Sequence, residues 1–234
     1  MIGTIINAAA ILGAGFVGLL LKGGIPERLR KIITQAIGLS VLFVGVSGSI
    51  SKMILPEANP VLFIISLALG GLLGELIRIE DRLDQLGNWL QKRVKLKQEY
   101  GNVSTGFVAA SLLFCVGTMA VLGPLESGLN ANHSILLAKS TLDGITSLVM
   151  ASTLGVGVLF SAASVFLYQG SITLLAVWIS PYLTTDMLRE ISVVGGILIA
   201  ALGLNMLEIT KIKVGNLLPA LLVPPIWYLL ISLF

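Results

Sequence analysis

Charge is what this sequence has least of. Only 12% of its 234 residues are Asp, Glu, Lys or Arg, against about 25% in a soluble domain. A water-exposed surface on a chain of this size would need more, which points to a solvent other than water. A single histidine, His133, leaves no nucleophile–His–acid set and no Cys/His cluster for zinc. A single cysteine, Cys115, excludes an intrachain disulfide and leaves the redox compartment open. No Gly-rich Walker A loop is present, which argues against ATP hydrolysis. No positive segment precedes the first apolar run, so that run is expected to persist as a span and not to be cleaved as a signal peptide. The chain is therefore expected to be neither an enzyme nor a cofactor protein.

What is abundant is apolar: 56% of the residues are hydrophobic, gathered in long runs with charges between them. About 20 such residues cross the hydrocarbon core as a helix, and a helix satisfies its own backbone in lipid. The runs predict spans at 2–21, 33–50, 60–77, 105–124, 140–160, 163–182, 191–207 and 215–233. The expected fold is all-α: a polytopic helical membrane protein with about eight transmembrane helices in a single membrane domain, 1–234. No charge marks the turn placed near Ala162, so the fifth and sixth segments read equally as two crossings or as re-entrant half-helices. With the N-terminus outside, twelve Lys and Arg fall in inner loops and three (Lys52, Lys139 and Arg189) in outer ones. The positive-inside rule favours that orientation, with both termini outside. It also accounts for the net charge of +3 better than a nucleic-acid partner would.

Between the third and fourth spans, Ile79, Leu83, Leu86, Leu90 and Val94 recur at helical spacing, with Arg82, Lys92, Arg93 and Lys95 off that stripe. This predicts an amphipathic helix over 79–99 on the inner membrane surface, able to bind anionic lipid or a partner. The alternative is a solvated loop.

Two segments resemble each other. Gly15-Phe16-Val17-Gly18 leads to Lys22 and Ile25-Pro26-Glu27-Arg28-Leu29. Gly71-Leu72-Leu73-Gly74 leads to Arg78 and Ile79-Glu80-Asp81-Arg82-Leu83. The second and fourth spans share Ser40-Val41-Leu42-Phe43-Val44-Gly45 and Ser111-Leu112-Leu113-Phe114-Cys115-Val116-Gly117. Residues 2–50 and 60–124 thus read as parallel internal two-helix repeats, a common transporter architecture, or as the coincidental likeness of apolar sequences.

An ionisable side chain inside a span costs about 2.5–3.5 kcal/mol on insertion scales, so it suggests function. Asp143 is the leading candidate. Lys139, Ser140, Asp143, Thr146, Ser147, Met150 and Thr153 fall along one broad face of the fifth span. A carboxylate followed by hydroxyls suits a hydrated path for an ion or a small polar solute. The competing reading is an interfacial Lys139–Asp143 ion pair, with the hydroxyls bonded back to their helix. Asn7, Gln35, Gln169 and Asn205 lie within or at the edges of spans and serve there as interhelical hydrogen bonders or as solute ligands. Gln169-Gly170-Ser171 is the most loop-like of these sites. Glu75 is expected to pair with Arg78 three residues on. Glu126 and His133 are placed in an outer loop, with no metal site between them. The candidate path comprises Asp143, Ser140, Thr146, Ser147, Thr153, Gln169 and Asn205.

Several runs are distinctive together: 114–126, from Phe114-Cys115-Val116-Gly117-Thr118 to Gly123-Pro124-Leu125-Glu126; Asn132-His133-Ser134; Lys139-Ser140-Thr141-Leu142-Asp143-Gly144; Ala151-Ser152-Thr153-Leu154-Gly155-Val156-Gly157; and Leu167-Tyr168-Gln169-Gly170-Ser171. With Gly3-Thr4-Ile5-Ile6-Asn7 they resemble the bacterial inner-membrane family typified by YqgA and YdfK, domain of unknown function 554, over essentially the whole chain. The resemblance implies a multi-pass protein of the bacterial cytoplasmic membrane, and it brings no substrate and no set of functional residues. The function expected is a transporter or channel for an ion or small polar solute in the lipid bilayer, with homo-oligomerisation compatible with so small a bundle. The alternative is a structural or regulatory membrane protein acting through the basic surface helix.

Overall fold

The computed structural model describes residues 1–22, 26–85, 103–116 and 118–231. Every regular element among them is helical. The long helices are α1 (Ile2–Lys22), α2 (Glu27–Met53), α3 (Pro60–Ile77), α4 (Val103–Cys115), α5 (Thr118–Leu129), α6 (Ser134–Leu154) and α7 (Gly157–Leu174). After them come the short α8 (Ala176–Ile179), a 3-10 turn at Ser180–Tyr182, and α9 (Thr185–Met206). Val214–Ile231 closes the chain as α10 (Val214–Leu217), a 3-10 segment (Leu218–Leu222) and α11 (Val223–Ile231). Seven of these stretches are long and apolar enough to cross a membrane singly. The bent pair of α4 and α5 makes an eighth if it is counted as one span. Large apolar side chains point outward, among them Phe43 (68% exposed), Leu76 (72%) and Leu167 (69%). In water such a surface would aggregate; in a bilayer it is the solvated face.

Four boundaries differ from those the sequence suggested. The break between the fifth and sixth spans falls at Gly155–Val156, not near Ala162. Gly155 ends α6 with φ 89°, a backbone region open to glycine. α6 begins at Ser134, so Asp143 lies in its third turn and not its first. Span four is not straight: α4 ends at Cys115, α5 begins at Thr118, and the two halves are bent by 59°. Its second half carries Glu126, which is helical and not in a loop. α9 starts at Thr185, capped by the Thr184 hydroxyl accepting from the Met187 N–H at 3.1 Å, which draws Asp186, Arg189 and Glu190 into the span. Pro219 sits at the opening of the 3-10 segment and Pro224 and Pro225 in the first turn of α11, where a missing N–H costs least. The amphipathic helix expected over 79–99 is helical at 79–85; the rest of it lies outside the described residues, as do Ile25 and Gly117 of the repeat motifs.

The chain divides into two compact units, each assembled from segments that are not contiguous in sequence. The first is Met1–Ile37, Asp84–Cys115 and Met119–Ser180; the second is Gly38–Leu83, Val116–Thr118 and Pro181–Phe234.

In the first unit α1 lies along α6 in parallel. Gly3 meets Leu136, and Gly18 meets the backbone of Leu148 so closely that a Cβ there would run into the Leu148 carbonyl oxygen. That approach is the small-residue packing expected where lipid removes the hydrophobic drive for helix association. α7 runs antiparallel to α1, with Gly15 against Leu159 and Thr4 Oγ1 3.4 Å from Thr173 Oγ1. Segments five and six therefore each run the length of α1 in opposite directions, and the half-helix alternative falls away. α4 lies parallel to α7, from Gly106 beside Gly157 to Ser111 Oγ donating to Ser164 Oγ at 3.2 Å. Ile11, Leu136, Met150, Val158 and Val165 form the apolar interior.

In the second unit α2 is antiparallel to α9, with Gly45 against Ala200 and Leu42 against Gly203. α3 is antiparallel to the last span: a Cβ at Gly74 would collide with the Asn216 carbonyl oxygen, while Gly70 meets Ala220. The two are clamped where α3 ends. Lys213 Nζ lies 2.9 Å from Glu75 Oε1, Asn216 Nδ2 donates to Glu75 Oε2, and the Glu80 N–H donates to Asn216 Oδ1 at 2.7 Å. Glu75 thus pairs with Lys213 and not with Arg78. Arg78 caps α3 in the left-handed conformation, φ 54°, which takes it off the helical register that an i,i+3 pair requires.

Candidate functional site

Among the described residues, the first unit buries one charged group of each sign inside the helix bundle. Lys139 and Asp143 stand one turn apart on α6, and their side chains are 8% and 7% exposed. Lys139 Nζ donates to both carboxylate oxygens, at 2.8 Å each. This is the pair that the i,i+4 spacing allowed, and it is buried between helices. Asp143 lies nine residues into α6, or about 13 Å along its axis at 1.5 Å per residue.

Two amides extend the pair across the neighbouring helices. Asn7, on α1, donates from Nδ2 to Asp143 Oδ2 at 3.0 Å and to Gln169 Oε1, on α7, at 3.2 Å. Both amides are fully buried. The acceptor-only carboxylate sets their orientations: Asn7 must turn its NH2 toward Asp143, and Gln169 must then turn its oxygen toward Asn7. That leaves Asn7 Oδ1 and Gln169 Nε2 buried with no protein partner. An orphan of this kind costs about 1–3 kcal/mol, so a native bundle carrying two in one cluster calls for a reason. The chain Lys139–Asp143–Asn7–Gln169 thus joins α6, α1 and α7, and it presents one spare acceptor and one spare donor.

The other candidate residues divide. Ser147 Oγ donates to the Ile11 carbonyl of α1 at 2.7 Å, next to the cluster and holding the same helix pair. Ser140 donates to its own helix at Leu136 O, 2.6 Å, and Thr153 to Met150 O, 3.0 Å. Thr146 is half-buried. Gln169 is helical, not loop-like. Asn205 lies in the second unit, where Nδ2 donates to Ile212 O and Oδ1 accepts from Thr210 Oγ1 at 2.7 Å and Ile212 N–H at 2.9 Å. It fastens the loop that follows α9. His133 precedes α6, with Nδ1 2.8 Å from Ser127 Oγ.

The sequence reading missed the centrality of Asn7, which it grouped with generic span amides. It also missed Glu190, because the seventh span was started at 191, six residues after the helix begins at Thr185. Glu190 is 1% exposed. Its Oε1 accepts the Asn59 N–H at 3.0 Å and lies 3.5 Å from Arg189 Nε. It borders a cavity of about 30 Å³ with Met53, Ala58, Asn59, Pro60, Phe63 and Val193, room for roughly one water.

Apolar, lipid-facing helices around buried, mutually paired polar groups define a polytopic helical membrane protein. The chain belongs to the family described as "Protein of unknown function (DUF554)", whose model matches residues 2–229. It is 41% identical over 234 residues to the uncharacterized membrane protein YdfK of Bacillus subtilis (strain 168), covering 100% of this chain and 98% of that one. It is 32% identical over 225 residues to the uncharacterized protein YqgA of Escherichia coli (strain K12), covering 95% and 94%. No solved structure matches it.

Proposed function

We propose that the protein is a transporter or channel for an ion or a small polar solute, acting without an enzymatic step in the bacterial inner membrane with both termini outside. The observation that carries this reading is the buried Lys139–Asp143 pair with its two half-satisfied amides. Intramembrane charges are costly and concentrate on solute and proton paths. As a fastening alone, a buried ion pair is a poor choice, since apolar side chains of similar volume often hold a structure as well or better. The orientation rests on the twelve basic residues assigned to the inner side against Lys52 and Arg189 on the outer, with Lys139 set aside as buried in the bundle. Alternate crossing agrees with the helix directions inside each unit. The test is flux. Purified protein in sealed vesicles is expected to move at least one of a panel of cations, protons and amino acids, and Asp143→Asn to abolish that flux. A demonstrated flux unchanged in Asp143→Asn removes Asp143 from the path, and silence across the panel removes the transport reading.

A further inference from the structure

Resting on that transport reading, we infer that the solute is a small zwitterion, an ammonium–carboxylate molecule of the amino-acid class, bound at the Lys139–Asp143–Asn7–Gln169 cluster.

Charge balance argues first. The cluster holds one positive and one negative side chain, locked to each other at 2.8 Å and shielded from solvent. A lone cation entering beside them leaves a net positive charge in a low-dielectric interior, and a lone anion leaves a net negative one; either is strongly penalised. A zwitterion keeps the sum at zero. Its ammonium takes Lys139's place on Asp143 while its carboxylate takes Asp143's place on Lys139. The intramolecular ion pair then stands in for the solute when the site is unoccupied.

The orphaned atoms argue second and independently. Asn7 Oδ1 is an acceptor and Gln169 Nε2 a donor, both buried and without a protein partner. An ammonium has three protons to give, and a carboxylate has about four lone-pair positions to fill. The acceptor joins Asp143 in receiving from the ammonium, and the donor joins Lys139 in serving the carboxylate. One spare group of each polarity is what a solute with two oppositely charged ends requires.

Space argues third. Asp143 and Gln169 are each followed by a glycine that helix packing does not demand. A Cβ at Gly144 would meet only Ala10, at 3.5 Å or more, and one at Gly170 only Met1 Cε, at 3.6 Å. Both are ordinary contacts, unlike the collision at Gly18. A glycine inside a helix costs up to about 1 kcal/mol relative to alanine, and close packing does not account for either position.

The experiment is counterflow in vesicles containing the full chain, with labelled glycine and L-alanine as probes and methylammonium, acetate and rubidium as comparators. The expected result is exchange of the amino acids, with neither methylammonium nor acetate competing. Lys139→Met, Asp143→Asn and Gln169→Leu should each weaken exchange about tenfold or more, the scale of one lost charged or buried hydrogen bond. Should the charge variants fail to fold, Gln169→Leu alone carries the test, because it removes only the spare donor and its neighbour's acceptor. Competition by methylammonium, acetate or rubidium as strong as by glycine overturns the zwitterion while leaving transport standing. Amino-acid exchange undiminished in the folded variants overturns the site. No exchange of any probe overturns both readings.

Discussion

Replacing Lys139 by methionine tests whether the bundle holds a true buried ion pair. Methionine keeps an unbranched side chain of comparable length and removes the ammonium. Asp143 then keeps only the Asn7 Nδ2 hydrogen bond at 3.0 Å and loses two charge-assisted bonds at 2.8 Å. Its side chain is 7% exposed, so water cannot replace them in the packed state. Stranding one charge of a buried pair costs about 3–5 kcal/mol. For a chain of this size, about 2–4 °C of melting temperature accompanies each kcal/mol, so the variant should melt roughly 6–20 °C below the parent. Asp143→Leu alone should also destabilise, by stranding the ammonium. The double variant Lys139→Met/Asp143→Leu removes both charges and should recover most of the loss. The assay is thermal unfolding of the purified variants in one detergent, followed by tryptophan fluorescence and arranged as a double-mutant cycle. Additive losses would refute the reasoning, as would a Lys139→Met protein melting within about 2 °C of the parent.

Three further outcomes are expected. Gly18→Val should prevent α1 from seating on α6, since even a Cβ meets the Leu148 carbonyl, and should lower the yield of folded protein in size-exclusion chromatography; Gly13→Ala, with open space around it, should not. Glu190→Leu leaves the Asn59 N–H without its acceptor and should cost about 1–3 kcal/mol, while Glu190→Gln, which retains the oxygen, should cost less in the same thermal assay. The Lys213 ammonium is held above its usual range, chiefly by its hydrogen bond to Glu75. A raised folded-state value means that any stability it lends is present below the ordinary lysine range and is lost as pH rises beyond it. The pair is solvent-exposed and of the kind that contributes little, so Lys213→Met should leave the melting temperature near pH 7 almost unchanged.

Much of the fold was legible because lipid enforces a simple grammar: apolar length gives spans, and glycine marks close approaches. Asp143 stood out because a carboxylate in an apolar run is costly, and its pairing with Lys139 follows from four-residue spacing. What that spacing could not supply was depth. Reading α6 from residue 140 put Asp143 one turn from its end, whereas the helix already begins at Ser134. Asn7 was hidden for another reason. An isolated amide in an apolar run looks the same whether it faces lipid, a carbonyl or a carboxylate 136 residues away. Asn205, equally unremarkable in sequence, proved to face its own loop. Glu190 was obscured by the cluster Asp186, Arg189 and Glu190, which reads as a hydrophilic connection until Thr184 is seen to cap the helix ahead of it.

The assembly of each compact unit from early and late stretches of the chain has a consequence during synthesis. α1 enters the membrane first, yet its partners α6 and α7 are not made until residues 134–174. At roughly 5–20 residues per second, the 136 residues between Asn7 and Asp143 separate their emergence by about 7–27 s. During that wait Asn7 has neither its carboxylate nor Gln169, and α2 and α3 likewise precede α9 and the last span. Assembly must therefore proceed by recruiting helices already resident in the bilayer, so the final third of the polypeptide completes two structures that its first third has begun.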